Sequence, residues 1–574
     1  MDRRLFLLPL FGLLTTTSTT AQIKQESFED FEKRINQQFD DFKNARDKEF
    51  MEFLRTRWTD YELAKPKPVP VKPKPVKPTV ADPKAKNPKP EEIPVGEVVN
   101  LPAPPSKAPA TPVQPTVPAK PETPAQPATP VKPTVPAKPV TPATPVKPAT
   151  PAKPEKPAQP AKPTQPAKPE KPTTPAVPVQ PASPVSPAVP STPVASPTSP
   201  VAPVVAAIDG PTLSKADGMK VDYYGTSCYV DNRLTGAVSL SKIDENAIAD
   251  AWGTVCTKDY EPLVKDCQTL RKEMKLTDWD YYLLCRDVSR RLAPGDKNAQ
   301  VFWQMFILVQ SGYKARLARI DDPDRLSLML AIKDQLYAKF YFELDGDIYY
   351  LLDDVKAQSL SVATYDKNFA GSKDDVKMVY RYMAKLKAHR VQRKWEQGGI
   401  QLTVNVDENK IKLMKDYPQC NFDVYYAYDM DEKLQKEVLP VFEKAIKGKS
   451  EKQAVQTLLT FVQKAFAYAT DDEQFGYEKP FFLDEMLYYP KDDCEDRSIF
   501  FSYLVRSLLG LDVVYLEYPG HLATAVCFTD PNVSGTYLMQ GGKKYVVCDP
   551  TYIGASIGMQ MPMFNGVSPK MLKY

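Results

Sequence analysis

DDCEDRSIFFSYLVRSLLGLDVVYLEYPGHLATAVCF, residues 492–528, holds a cysteine among acids at the mouth of an apolar-periodic run. Ile499, Phe500, Tyr503, Leu504 and Leu508 recur at helical spacing between Arg497 and Leu509, and Gly510 stops the run. LDVVYLEY and HLATAVCF then read as strands, and KKYVVCD, closed by Pro550, reads as a third. Upstream, Ser450 with Gln453 forms a capping box before a helix carrying Ala454, Leu458, Phe461 and Val462. From about residue 208 onward such helical and strand-like segments alternate, which predicts an α+β chain.

Asp492 and Asp493 are candidate N-caps, so Cys494 falls in the first helical turn. Unpaired N–H groups and the helix dipole there favour a thiolate, whereas Glu495 and Asp496 oppose it. An imidazole is therefore needed to hold the thiol proton. The chain has 2 histidines, His389 and His521. His389, in LKAHRVQR, reads as a surface residue, whereas His521 opens a strand after Pro519 and Gly520, and Asp549 ends the next predicted strand. A helix-start thiol, a strand-start histidine and a strand-end carboxylate have the chemistry of nucleophile, base and orienter. Cys527 and Cys548 sit inside apolar strands and read as core. Zinc on Cys494, His521 and Asp549 lacks a fourth ligand or a CxxC pair, so no metal and no cofactor is assigned.

With these residues in view, DCEDRS…LLGLDVVYLEYPGHLATAV…YVVCDPTY resembles the transglutaminase-like superfamily, a papain-related fold. The resemblance covers roughly Lys449 to Met561 and implies a triad of Cys494, His521 and Asp549. Tissue transglutaminases usually carry Trp directly after the cysteine, but Glu495 stands there, which looks more like bacterial members that resemble cysteine peptidases. The implied activity is thiol-dependent acyl transfer by a cysteine peptidase or amidase acting on an envelope or extracellular peptide or protein. A transglutaminase-type cross-linker and a non-enzymatic envelope scaffold are the alternatives. Tyr489 and Gln474 precede the cysteine, but neither spacing identifies a second oxyanion donor.

An earlier segment, SGYKARLARIDDPDRLSLMLAI…LDGDIYYLLDD, reads like the one after Cys494. Setting Leu326 on Leu522 and Gly346 on Gly542 places Arg325 at the His521 position and Asp353 at the Asp549 position, with Asp296 to Asn298 near that of Cys494. Fold-bearing residues match while nucleophile and base do not, so this region reads as a degenerate copy.

The N-terminal 200 residues have a different character. Arg3 and Arg4 precede a short apolar core and then Thr19, Thr20 and Ala21, a secretory signal pattern. Phe28, Phe39, Phe50 and Tyr61 recur every eleventh residue, as do Phe31, Phe42 and Phe53, giving one helix an aromatic stripe that needs a partner helix, an envelope component or the chain's own body to cover it. Of the 59 prolines, 45 lie between Pro66 and Pro203, at every third residue from Pro112 to Pro193, the period of polyproline II. Fully extended, that tract spans about 430 Å.

The reading is thus residues 1–21 a signal peptide, 22–64 a long amphipathic helix that pairs as a coiled coil or docks, and 65–207 a proline-rich spacer. Residues 208–370 form a degenerate transglutaminase-like region and 371–574 a transglutaminase-like catalytic domain. A net charge of +4, with much of the lysine in the proline tract, gives no argument for nucleic acid. No later run is apolar enough to span a membrane, so the chain reads as exported, periplasmic or secreted, with a peptide or protein substrate. In that compartment Cys228, Cys256, Cys267 and Cys285 cluster well enough to form disulfides.

Overall fold

A computed structural model describes residues 28–63, 75–82, 89–101, 218–320, 325–353, 360–379 and 384–573. The signal pattern at 1–21 and most of the proline tract lie outside these residues. The chain opens with α1 (Phe28–Leu54), β1 (Thr59–Leu63), β2 (Glu91–Glu92) and β3 (Glu97–Asn100). A first half follows: the hairpin β4 (Met219–Tyr223) and β5 (Thr226–Val230), then α2 (Glu245–Cys256), α3 (Glu261–Glu273), α4 (Asp278–Leu292) and α5 (Lys297–Gln310). Its sheet strands are β6 (Ala315–Ile320), β7 (Leu326–Ala331), β8 (Tyr341–Leu344), β9 (Asp347–Leu351) and β10 (Leu360–Thr364). The second half begins with β11 (Arg390–Gln397), β12 (Ile400–Asp407), α6 (Glu408–Lys415), α7 (Phe422–Tyr426), α8 (Glu432–Ile446) and α9 (Glu451–Ala465). After β13 (Ala467–Tyr468), α10 (Asp471–Phe475), α11 (Leu483–Met486) and β14 (Lys491–Asp492) come α12 (Cys494–Leu509), β15 (Asp512–Tyr518), β16 (His521–Cys527), β17 (Thr536–Gln540), β18 (Lys543–Cys548) and β19 (Lys570–Lys573). The chain is α+β, and no described helix is long and apolar enough to cross a membrane.

The two halves repeat one design. Strand order is β1-β10-β6-β7-β9-β8 in the first sheet and β3-β19-β15-β16-β18-β17-β2 in the second. In each, a capped helix feeds the strand beside the central one: Asp296 accepts the N–H of Ala299 at 2.9 Å to start α5, and Asp493 is the N-cap of α12. Each closes its outer hairpin with two residues of positive φ, Asp345 and Gly346 (50°, 82°) and Gly541 and Gly542 (55°, 77°). That pairing of signs is the type I′ turn, whose twist suits a two-residue hairpin. A constant offset of 196 residues relates Asn298 to Cys494, Arg325 to His521, Leu326 to Leu522, Gly346 to Gly542 and Asp353 to Asp549.

The second sheet is buried on both faces. Val513, Tyr515, Leu522 and Val526 join the core that holds α12, and Val514, Leu516, Ala523 and Ala525 face a separate cluster with Phe564 and Met571. Its edges are closed by the region that composition assigns to the spacer: β2 pairs in parallel with β17, and β3 with β19. Edge strands are where proline-rich sequence is tolerated, since an outward N–H is not needed there.

The C-terminal end of the α1 stripe is covered by the chain's own first half. Phe50 lies 4.2 Å from the Trp252 ring and edge-on to Phe369 at 4.6 Å, and Leu54 is fully buried. Asp47 fixes the register, accepting from Tyr260 Oη at 2.6 Å and Gln310 Nε2 at 2.9 Å. The helix ends at Leu54, and Tyr61 lies in β1, paired with Val362 of β10.

The disulfides expected in this half do not form; all eight cysteines are free thiols. Each of the four has another role. Cys228 Sγ contacts Met274 Sδ at 3.6 Å, Cys256 bonds toward Asp47, and Cys267 and Cys285 fill the core as small apolar groups.

Candidate active site

The start of α12 is held by buried ionic bonds. Arg497, fully buried, donates from Nε to Asp492 Oδ1 at 2.7 Å and from Nη2 to the Phe466 carbonyl at 2.9 Å. Removing one partner of such a buried pair strands the other charge, at a cost of about 3–5 kcal/mol. Asp496 accepts the N–H of Phe481 at 2.9 Å and that of its own N-cap, Asp493, at 3.3 Å. One turn beyond Cys494, Ser498 Oγ donates to the Leu522 carbonyl at 2.9 Å, and the Leu522 N–H is directed at the Cys494 sulfur. Helix start and strand start are thereby clamped together, with Cys494 against the first residues of β16.

His521 is the first residue of that strand. Its Nε2 is 2.8 Å from Asp549 Oδ2, with both side chains buried. Asp549 follows β18, and its Oδ1 accepts the N–H groups of Thr551 at 2.9 Å and Tyr552 at 3.2 Å. Gln463 Nε2 donates to the Asp549 main-chain carbonyl at 3.0 Å, so α9 also holds the backbone that carries the carboxylate. The imidazole lies parallel to Phe564, 5.3 Å between centroids, and Phe564 stacks in turn on Tyr518 at 4.5 Å. Nδ1 is buried without a hydrogen-bond partner. With Nε2–H donated to Asp549, Nδ1 carries the basic lone pair.

The thiol is aimed elsewhere. Cys494 Sγ donates to Glu495 Oε2 at 2.9 Å rather than to His521. Burial, then the charges of Glu495 and Asp493, push its pKa well above the usual thiol value, although the Leu522 N–H opposes them. The helix-start advantage for a thiolate is thus outweighed by the acids beside it. Burial and mutual repulsion also push Asp493 and Asp496 well above the ordinary carboxylate range. Two groups here have donor atoms close enough to hold a metal ion: Asp493, Cys494 and Glu495, and Asp471, Glu478 and Glu495. The second is all carboxylate, the donor type of hard divalent cations such as calcium or magnesium.

Other residues singled out in sequence have partners or surroundings outside the triad. Gln474 Nε2 donates to the Lys491 carbonyl at 3.3 Å, and Tyr489 packs among Phe475 and Phe481. His389 is exposed and paired with Glu408 at 3.0 Å. Cys548 is buried in β18, and Cys527 is half-buried at the end of β16. Gln463 and Ser498 join the site without any motif to announce them; each acts through a contact made only in the folded chain.

The first half carries the same frame with different chemistry. Asn298 Oδ1 accepts the Leu326 N–H at 2.9 Å, in the place where Cys494 meets Leu522. Arg325 Nη2 lies 3.4 Å from Asp353 Oδ2, in the place of the His521–Asp549 pair. Those side chains are 45% and 36% exposed, against 0% and 3% for His521 and Asp549.

Among solved structures, the chain is similar to Legionella pneumophila LapG. One structure, of the EGTA-treated protein, has 14% sequence identity, covers 28% of this chain and 76% of that one, and gives a TM-score of 0.17. A second has 15% identity, with 28% and 78% coverage and the same TM-score. No protein-family model and no curated protein matches the chain.

Proposed function

We propose that the second half is a thiol acyl-transfer enzyme of the transglutaminase-like kind, exported, acting as a cysteine peptidase or amidase on peptide. The observation that carries this reading is the buried His521–Asp549 pair, with Nδ1 unpartnered, on the strand to which Ser498 clamps the start of the Cys494 helix.

The thiol first leaves Glu495 and passes its proton to His521 Nδ1, while Asp549 holds the ring and balances the imidazolium charge. The thiolate attacks an amide carbonyl, and the Cys494 N–H at the helix start is one donor to the developing oxyanion. Collapse breaks the C–N bond, and the imidazolium gives its proton to the departing amine. Water, deprotonated by the same imidazole, then cleaves the thioester, releasing acid and regenerating the thiol. An amine in place of water gives a new amide and the transglutaminase outcome.

Product analysis on envelope-derived peptides, with and without added amine, tests the reading. Cys494-dependent appearance of a free carboxylate and a free amine is expected. Equal turnover by a Cys494→Ala protein would overturn it.

A further inference from the structure

The triad residues are almost inaccessible, with Cys494 and His521 4% and Asp549 3% exposed. A segment far away in sequence is bonded to residues beside two of them. Residues 75–82, PVKPTVAD, bond to the residue before His521, to a residue shortly after Asp549, and to Tyr468. Val76 N–H donates to the carbonyl of Gly520, the residue before His521, at 2.9 Å. The Val76 carbonyl accepts from Tyr468 Oη at 3.4 Å, and Tyr468 is close enough to Cys494, Asp493 and Glu495 that, after burial, their charges help to push its pKa up. Farther along, the Thr79 carbonyl accepts the N–H of Ile553, and the Ala81 N–H donates to the Ile553 carbonyl, both at 2.9 Å. Ile553 follows Asp549 closely, and Val80 bridges it in parallel. Val76 and Ala81 pack onto the cluster that contains Tyr518 and Phe564, the rings flanking His521.

These contacts are backbone pairings along an extended peptide, with side chains seated on an apolar surface. That is how strand-adding domains take peptide ligands. We infer that residues 75–82 occupy the peptide groove of the Cys494 site as an intramolecular ligand. The substrate is then an extended peptide that competes with the chain's own segment, pairing with Gly520 and Ile553 and seating a small apolar side chain where Val76 lies. The groove's meaning as a substrate site rests on the acyl-transfer reading above; its occupancy by a peptide does not. Thr79 Oγ1, buried without a partner, marks a position where the self-segment is an imperfect occupant.

In the full chain, residues 75–82 are replaced by an alternating glycine–serine run of equal length, and Cys494 alkylation by iodoacetamide is timed. A second protein, Val76→Pro with Ala81→Pro, removes the two donated N–H groups while leaving an apolar side chain at each position, and decides the matter if the first does not fold. Loss of two backbone bonds predicts a labelling rate at Cys494 raised about tenfold or more in either protein. A fluorescent synthetic peptide of residues 73–84 should bind the glycine–serine protein carrying Cys494→Ser, at about the millimolar concentration a short tether supplies. It should bind far more weakly to the chain with its own segment in place. Unchanged labelling in a folded variant, or no peptide binding once the segment is replaced, overturns the inference. If labelling and peptide binding behave as expected but no peptide is ever turned over, the groove stands and the acyl-transfer reading falls.

Discussion

Asn298 and Cys494 occupy the same place in the two halves, each set at a helix start against the N–H of the leucine in the next-but-one element, Leu326 or Leu522. The first half therefore has the same frame, with an amide where the second half has the thiol and a guanidinium where it has the imidazole. An amide oxygen accepts the leucine N–H without being a nucleophile, and an arginine cannot serve as a base near neutral pH. Arg325→Ala should leave turnover unchanged and cost less than about 1 kcal/mol in denaturant melts, as exposed ion pairs do. A dead Arg325→Ala protein that still folds would contradict this division of labour.

Cys494, His521 and Asp549 should behave as one unit. Cys494→Ala and His521→Ala are each expected to lower kcat by about 10⁴-fold or more, and the double variant should be little worse than either. Asp549→Asn should be milder than His521→Ala, since the ring survives but loses its carboxylate. Steady-state rates on folded proteins check this, and additive losses would count against a shared mechanism.

Glu495 should restrain the thiol. Glu495→Gln removes the neighbouring charge while keeping a polar side chain of the same size, so the Cys494 pKa should fall and alkylation at pH 7 should quicken. The measurement is the pH profile of alkylation, expected to shift toward lower pH.

Asp484 should set part of the pH dependence of stability. Burial raises its pKa from 3.8 to about 7, so over that interval the folded state binds more protons than the unfolded one. Stability from this group is therefore greatest at low pH and declines as pH rises toward 7. Asp484→Asn keeps an oxygen for Tyr428 Oη and the Asp431 N–H, and should flatten that decline by about 1–2 kcal/mol in melts from pH 4 to 7. An unchanged slope would show that other buried acids dominate.

The α1 aromatic stripe offers a packing test. Phe50→Ala removes a ring held between Trp252 and Phe369 and should cost about 3–5 kcal/mol, read from the midpoint of chemical unfolding. Phe42→Ala, at a side chain 63% exposed, should cost little in the isolated chain.

Much of the local structure can be read from sequence because its signals are local. The Ser450–Gln453 capping box starts α9, Gly510 ends α12 in the left-handed conformation, and β15, β16 and β18 fall on the three apolar runs. Helix α12 begins at Cys494 and strand β16 at His521, with Asp549 directly after β18. What composition hides is non-local. Proline content marks residues 65–207 as spacer, yet Glu91–Glu92 and Glu97–Asn100 join sheet edges through backbone bonds that leave no hydrophobic pattern. Glu495 was legible as a charge opposing the thiolate, but its direct bond to the thiol depends on a side-chain direction that spacing does not encode.

Strand β3 and Leu101 are tied to β19, while β4 resumes the described chain within the first half. The described residues on either side of the proline-rich insert therefore belong to the same folded body. The insert's length cannot set how far α1 stands from Cys494, because both belong to that body. Cutting it by half should alter neither the melting of the protein nor the position of its N-terminal helix relative to Cys494.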